Sequence, residues 1–385
     1  MVGIAAVIFI AGVGLGNGTI QFGAVRNQQN KDLPENLDYS SVESMYDVLK
    51  ANYDGRLDTG KLLDGMKSGL AEASGDAYTV YMNSKDVESF NQQLNGTFSG
   101  VGAELGQDGD GNLIVVSPIA GYPAAKAGMR PQDIIAEIDG KSTTGLNIEE
   151  AVSKIRGPKG TQVKLRLIRD KKQDLSLTLT REDIKVPSVK HEILPGNIGY
   201  LQITHFSDDI AKLATQAAQE FAAKDVKGVV LDLRGDPGGL LDAAVEVSSL
   251  WLPKGQTVLQ EKQGGVVVST ERANGNNLLQ GIPTAVLINE GSASASEITA
   301  GALEDNKVAT LFGVKSFGKG SVQQIKELAG GGELKVTIAR WYRPNGQNID
   351  KKGILPDKEV KMTDDDYKNK LDPQKDAAVA FLRQK

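Results

Sequence analysis

One arrangement in the C-terminal half constrains this chain more than any other. A short apolar run ends in a glycine- or serine-rich loop, and a helix-like stretch follows. VKGVVLDLRG passes through DPGG into GLLDAAVEVSSLWL, and PTAVLINEG passes through a run of serines into SASEITAGALEDN. Apolar runs of about five residues between turn residues read as buried strands. GNIGYLQITHFS followed by DDIAKLATQAAQEFAAK has the same order. Strands alternating with helices predict an α/β core with crossover connections, assigned to residues 184–361. The segment 362–385, with DDDYKNKLDPQKDAAVAFLRQ, reads as a terminal helix on a charged lead-in.

The 385 residues exceed what one such core needs, and two or three domains are expected. In 98–183 the pattern changes to short strands, NLIVVSPI, DIIAEIDG, TQVKLRLIRD and DLSLTLTRED, interrupted by the helix-like YPAAKAGM and IEEAVSKIRG. In 40–97 it is helical, with Val42, Met45, Val48 and Leu49 at spacings of three and four, and 21–39 reads as a polar linker. Residues 1–20 hold the apolar run MVGIAAVIFIAGVGLG. Its length lies between a secretory signal core and a membrane span. It predicts an uncleaved signal anchor or a cleaved signal peptide, with the bulk of the chain outside the cytoplasm. A buried core helix is the plainer alternative.

The chain has no cysteine, which excludes disulfides, thiolate catalysis and cysteine-bound metals. A net charge of −5 with interspersed signs argues against nucleic acid as a partner. No metal or cofactor is implied. DGDGN resembles a calcium loop, but strand residues follow at once and a β-turn is the better reading.

In the middle module, SGVGAEL puts Gly100, Val101, Gly102 and Ala103 where successive backbone N–H groups can form an anion-binding nest. An ordinary tight turn is the alternative. The order SGVGAEL, PAAKAGMRPQDIIAEIDGKST, IEEAVSKI resembles PDZ domains: the carboxylate-binding loop, the stretch after the second strand, and the helix lining the peptide groove. The resemblance implies capture of a C-terminal tail as an added strand.

GVKSFGKGSV, from Gly313, is one residue short of a phosphate-binding P-loop, because Gly320 stands where a hydroxyl should hold Mg²⁺. The strand VVLDL also precedes the lysine, the reverse of the usual order. Lys319 is therefore read as a base. Phe317 and Val322 are expected to keep water from it and lower its proton affinity. Ser294 lies at a strand-to-helix turn. With Glu297 it fits a capping box, and among small neighbours at a helix N-terminus it also fits a nucleophile. His191 and His205, the only histidines, lie outside any glycine-rich motif and are weaker bases. Gln323, four residues past Lys319, is expected on the same face as its orienter. Gly238, Gly239 and Ala295 can supply N–H groups to an oxyanion.

DLRGDPGG, NEGSASASEITAGAL, GVKSFGKGSVQ and TIARWYRPNGQNIDKKGILPD, in this order, resemble the C-terminal processing (tail-specific) proteases, which are Ser-Lys serine endopeptidases with an inserted PDZ domain. The resemblance implies an α/β multi-domain protein: an N-terminal helical region, a PDZ β-sandwich or barrel-like module, and a crotonase-like α/β protease core. It implies Ser294 as nucleophile, Lys319 as general base, Gln323 as its orienter, and Ala295 with Gly238 or Gly239 as oxyanion hole. It further implies protein substrates with apolar C-termini, an acyl-enzyme and a homodimer. Separately, Arg156, in the turn IRGPKG at the end of the module's helix, is expected to play a regulatory part by bridging to the core when peptide binds. Asp236 stands where the family usually has Asn. A carboxylate there would alter the loop's hydrogen bonds or repel the oxyanion. GDAYTVY resembles a family motif with a proline at the position of Ala77. A catalytically dead peptide-binding scaffold, or a chaperone on the same fold, is the competing reading.

Overall fold

The computed structural model describes residues 33–385 apart from 95, 96, 109, 120, 147, 171 and 186. The expected anchor or signal segment lies outside the described residues. Among them, no helix is long and apolar enough to cross a membrane.

The N-terminal region holds α1 (Ser40–Asn52), α2 (Thr59–Glu72), β1 (Val80–Met82) and α3 (Ser84–Leu94). Asp58 caps α2 by accepting from the Lys61 N–H at 3.2 Å. The strand is a departure from the all-helical expectation. Val80–Met82 pairs antiparallel with Lys335–Glu333, so the region is joined to the core by a ladder. No residue of α1 is buried. Its Met45 and Val48 are exposed, as is Leu70 of α2.

The middle module comprises β2 (Thr97–Gly100), β3 (Ala103–Gln107), β4 (Leu113–Pro118), α4 (Pro123–Lys126), β5 (Ile134–Ile138), β6 (Lys141–Ser142), α5 (Ile148–Ile155), β7 (Gln162–Arg169), β8 (Gln173–Thr180) and β9 (Glu182–Lys185). The sheet order is β3-β4-β5-β7-β8, with β6 on β5. Its neighbours are antiparallel. Val115, Ile135, Leu165 and Leu167 fill its own core. The ribbon of β2 with β9 forms both entry and exit of the module.

The C-terminal part runs β10 (Val189–Leu194), β11 (Ile198–Ile203), α6 (Ile210–Ala223), β12 (Gly228–Asp232), α7 (Leu241–Ser248), β13 (Thr257–Gln263), β14 (Val266–Arg272), β15 (Thr284–Ile288), α8 (Ala295–Asp305), β16 (Ala309–Gly313), β17 (Ser321–Glu327), β18 (Glu333–Tyr342), β19 (Lys358–Glu359), α9 (Asp364–Asn369) and α10 (Pro373–Leu382). The central sheet has the order β10-β11-β12-β15-β16-β19. From β11 onward it is parallel. Every residue of β12 and β15 is buried, as expected of strands covered on both faces. One face packs against α6, α7 and α8 through Phe206, Phe221, Val247 and Ile298. The other is closed by Ala378 and Leu382 of α10 against Val230, Ala285 and Phe312. Asp372 accepts from the Lys375 N–H at 3.0 Å, and Pro373 opens α10. A second sheet, β1-β18-β13-β14 with β17 on β18, completes the core.

Candidate active site

Two loops leave adjacent parallel strands, β12 and β15, at the same edge of the sheet. They are stitched together by hydrogen bonds that involve neither Ser294 nor Lys319. The Gly235 N–H donates to Asn289 Oδ1 at 2.8 Å and Ser292 Oγ to the Leu233 carbonyl at 2.8 Å. The Ala293 N–H and Ser296 Oγ both donate to the Asp236 carbonyl, at 3.0 Å each.

Ser294 follows at the N-cap of α8 with φ +55° and ψ −113°. A non-glycine residue in this region is strained. The turn exposes Ser294 on a cavity of about 330 Å³ while the helix is buried from Ala295 to Leu303. Lys319, Gln323, Gly238, Gly239 and His205 line the same cavity, with Leu240, Leu241, Ile298, Val322, Ile325 and Trp341 as apolar wall. Phe90 of α3 and Lys335 of β18 close it.

Glu297 organises the centre. It is fully buried. Oε2 accepts the Ser294 N–H and the Lys319 N–H, each at 2.9 Å. Oε1 accepts Ser316 Oγ at 2.6 Å and the Gly318 N–H at 2.7 Å. Burial pushes this carboxyl up, and the four donors pull it only part of the way back, so it stays above the ordinary glutamate value. The capping pair legible in the sequence is thus half of a larger clasp that joins nucleophile loop and base loop. The sequence carried the first partner, three residues away, and no signal for the other three.

The glycines around Lys319 answer to close backbone approach. A Cβ on Gly318, which has φ +95°, would lie 2.7 Å from the Gly353 nitrogen. One on Gly320 would lie 2.6 Å from the Asp350 nitrogen. No helix follows the lysine, only β17, so the loop is not a phosphate cradle. Burial holds the Lys319 amine below the ordinary lysine value, the charge of Lys335 pushes the same way, and Glu297 opposes both. Lys319 Nζ lies 5.3 Å from the centroid of the Tyr78 ring. Tyr78 belongs to GDAYTVY, and its place beneath the lysine was not read from the sequence. Phe317 does not shield Lys319: it is 56% exposed, and Val322 and Trp341 wall the cavity instead.

Among the described residues no hydrogen bond joins Ser294 Oγ to Lys319 Nζ. Gln323 shares the cavity, but its amide donates to Ser321 Oγ at 2.8 Å and Thr337 Oγ1 at 3.3 Å. The four-residue spacing assumed one regular element. Lys319 precedes β17, and a register shift at Val322/Gln323 re-aims the side chain. The Gly238 N–H is engaged by Asp236 Oδ1 at 2.8 Å. The Gly239 and Ala295 N–H groups have no acceptor among the described residues. A Cβ on Gly238 would lie 2.8 Å from Ser294 Cβ and 2.9 Å from the Ala295 nitrogen, so only glycine fits against the nucleophile. His205 lines the cavity, whereas His191 pairs with Glu220 at the surface, 3.1 Å away.

In the middle module, Gly100 ends β2 and Ala103 opens β3, with Gly102 at φ +73° and Val101 buried. Among the described residues the edge strand β3 pairs only with β4, and α5 packs beside it. An edge strand beside a helix is the setting for strand addition by a peptide. In DGDGN, Asp108 accepts from the Asp110 and Asn112 N–H groups at 3.0 and 2.8 Å, which makes it a turn. The Arg156 guanidinium stacks 4.4 Å from the centroid of Phe98 and forms no ion pair among the described residues. The helix α3 touches both sides: Gln92 donates to Ser99 Oγ at 3.4 Å, and Phe90 reaches the cavity.

The model of peptidase family S41 matches residues 197–360, and a PDZ-domain model matches 114–169. The chain is 39% identical over 326 residues to the carboxy-terminal processing protease CtpA of Bacillus subtilis, covering 85% of this chain and 70% of that one. It is 37% identical over 327 residues to a CtpA-like serine protease of Staphylococcus haemolyticus, spanning 65% of that protein's length. Among solved structures, the photosystem II D1 C-terminal processing protease aligns over 84% of this chain and 87% of its own, with 28% identity and a TM-score of 0.53.

Proposed function

This chain belongs to peptidase family S41, the family of the carboxy-terminal processing proteases, and from that premise we propose that it is an extracytoplasmic serine endopeptidase working through a Ser294–Lys319 dyad. The observation that carries the reading is the shared cavity. A serine strained at the head of a buried helix and a lysine of depressed proton affinity open on one space, and one buried glutamate fixes the backbone of both.

In this mechanism neutral Lys319 takes the Ser294 hydroxyl proton as Oγ attacks the scissile carbonyl. The Ala295 and Gly239 N–H groups receive the oxyanion. Lys319 returns the proton to the leaving amine, and water then resolves the acyl-enzyme with Lys319 again as base. The missing serine–lysine hydrogen bond fits a resting form that tightens on substrate. The apolar wall suits apolar side chains at the cut.

The middle module captures an apolar C-terminal tail against β3, with the N–H groups around Gly100, Val101, Gly102 and Ala103 at its carboxylate. Arg156 and α3 link occupancy of that groove to the cavity. The exposed apolar faces of α1 and α2 pair two copies, and the N-terminal apolar segment tethers the assembly to the membrane.

The test incubates the chain with a disordered protein bearing an apolar C-terminus, beside Ser294→Ala and Lys319→Ala, and follows fragments by intact mass. Cleavage by the parent alone, with a substrate-derived mass added to Ser294 early in turnover, is expected. Cleavage that persists in either variant refutes the dyad. Tail binding without any cleavage supports the scaffold reading.

A further inference from the structure

Four acidic side chains are buried among the described residues: Asp133, Asp232, Asp236 and Glu297. Asp133 is held by Arg169 at 2.8 Å. Asp232 is held by Arg234 at 2.6 Å and by the Tyr200 hydroxyl at 2.8 Å. Glu297 has its four donors. Asp236, fully buried, has one: Oδ1 accepts the Gly238 N–H, and Oδ2 has no partner; the nearby Ser296 hydroxyl, which eases the cost of a charge there, donates to the Asp236 carbonyl. An ionised carboxylate left this bare in a protein interior is far more costly than a neutral one. The charged and titratable groups around it are engaged elsewhere or face the cavity. Arg234, on its own loop, is bound to Asp232 and Asp372. Glu297 on α8 is satisfied, Lys319 faces Tyr78, and His205 sits where β11 leads into the Phe206–Gly239 bridge. None of them donates to Oδ2.

We propose that Asp236 is a positioning residue kept as a neutral carboxylic acid, whose Oδ1 fixes the Gly238 N–H, and that loss of its proton places a charge under the oxyanion loop and shuts the site in alkaline solution. Gly238 packs directly on Ser294 and Ala295, so a charge on its hydrogen-bond partner acts against the negative oxygen forming beside them. Burial pushes the carboxyl from the ordinary 3.8 up to about 8. A neutral acid with Oδ1 accepting is also the shape of an asparagine, and Asp236→Asn preserves the acceptor while removing the titration.

The inference rests on the Ser294–Lys319 reading, and the two fail separately. The first readout is kcat/KM against pH for parent and Asp236→Asn. The parent is expected to lose about tenfold per pH unit above the titration, and the variant to hold its plateau. Parallel decline in both overturns the switch. The second readout is Tm against pH and needs no activity. The folded parent keeps a proton that the unfolded chain releases near 3.8, so this group's contribution to stability declines from there to about 8 and is level above. The Tm advantage of Asp236→Asn should therefore grow from pH 5 to pH 9. A constant difference overturns the neutral acid even if proteolysis is found. If no proteolysis is found, the dyad reading falls and the Tm series alone decides the protonation.

Discussion

The two loops that bring Lys319 and the oxyanion glycines to Ser294 are held in opposite ways. The loop after β12 is bolted by charge: Arg234 at its base, paired with Asp232, reaches across to Asp372 and Gln374 at the head of α10. The loop before β17 carries no such pair. It hangs from Glu297 by the Ser316 hydroxyl and two N–H groups, and its glycines lie against the backbone of 349–353. The difference matters for the chemistry. A base that must shed its proton is served by neutral donors around one satisfied carboxylate, because each further anion nearby would hold the proton on it. The oxyanion loop anchors its charges at the far side of the sheet, away from the reacting atoms.

The largest effect expected from breaking this arrangement comes at Glu297. Gln in its place keeps one good acceptor oxygen and turns an amide donor toward N–H groups that are themselves donors. At least two of the four donors lose their acceptor, at a cost of about 2–4 kcal/mol in stability. Both Ser294 and Lys319 shift together, and misplacement on that scale lowers kcat by about 100-fold or more. Urea unfolding and single-turnover kinetics on Glu297→Gln measure the two effects. A variant of parental stability that still cleaves would mean that the clasp is incidental.

Much of this site was legible in the sequence because its residues announce themselves locally. Ser294 sits at a strand-to-helix turn among small residues, and Lys319 stands between two glycines with no hydroxyl after them. The alternation of strands and helices gave the parallel core, and the switch of pattern near Phe98 marked the middle module. What escaped was set by distant neighbours. Tyr78 lies under a lysine two domains away along the chain. Val80–Met82 becomes a strand because Glu333–Lys335 offers it an edge. Phe317 is apolar and adjacent to the base, yet the chain direction turns it to solvent. Gln323 was placed by a periodicity that a bulge interrupts. Local patterns name the reacting groups, whereas the second layer around them depends on which loops the topology brings together.

A smaller effect sharpens the electrostatic side of the comparison. Lys335 is the nearby cation that works with burial to keep Lys319 neutral. It enters the cavity from β18 with its ammonium 5.3 Å from the Phe90 ring centroid. Removing the charge raises the proton affinity of Lys319, so the acid limb of the pH–rate profile moves to higher pH. Activity at neutral pH then falls several-fold, while the alkaline limb, set by Asp236, stays where it is in the parent. Lys335→Gln should show the shift and Lys335→Arg should not. An unchanged acid limb in Lys335→Gln would leave burial as the sole cause.

The smallest effect is expected at the bolt of the oxyanion loop, and it separates the ion pair from the helix cap. Asp372 does two things: it pairs with Arg234 at 2.8 Å, and it caps α10 through the Lys375 N–H. Asn caps a helix about as well as Asp. Asp372→Asn therefore removes the charge and keeps the cap. Burial raises this carboxyl, but the Arg234 hydrogen bonds, the Lys375 N–H and the charges of Arg234 and Lys375 together outweigh it and hold the group below the ordinary aspartate value. A depressed carboxyl contributes stability at neutral pH and loses it as the pH falls through its folded-state titration. Asp372→Asn should accordingly be about 1 kcal/mol less stable at pH 7 and indistinguishable from the parent in acid. Arg234 retains Asp232, so the loop stays in register and cleavage changes only modestly. A loss of cleavage as large as that of Glu297→Gln would show that α10, on the far face of the sheet, governs the site as closely as the base loop does.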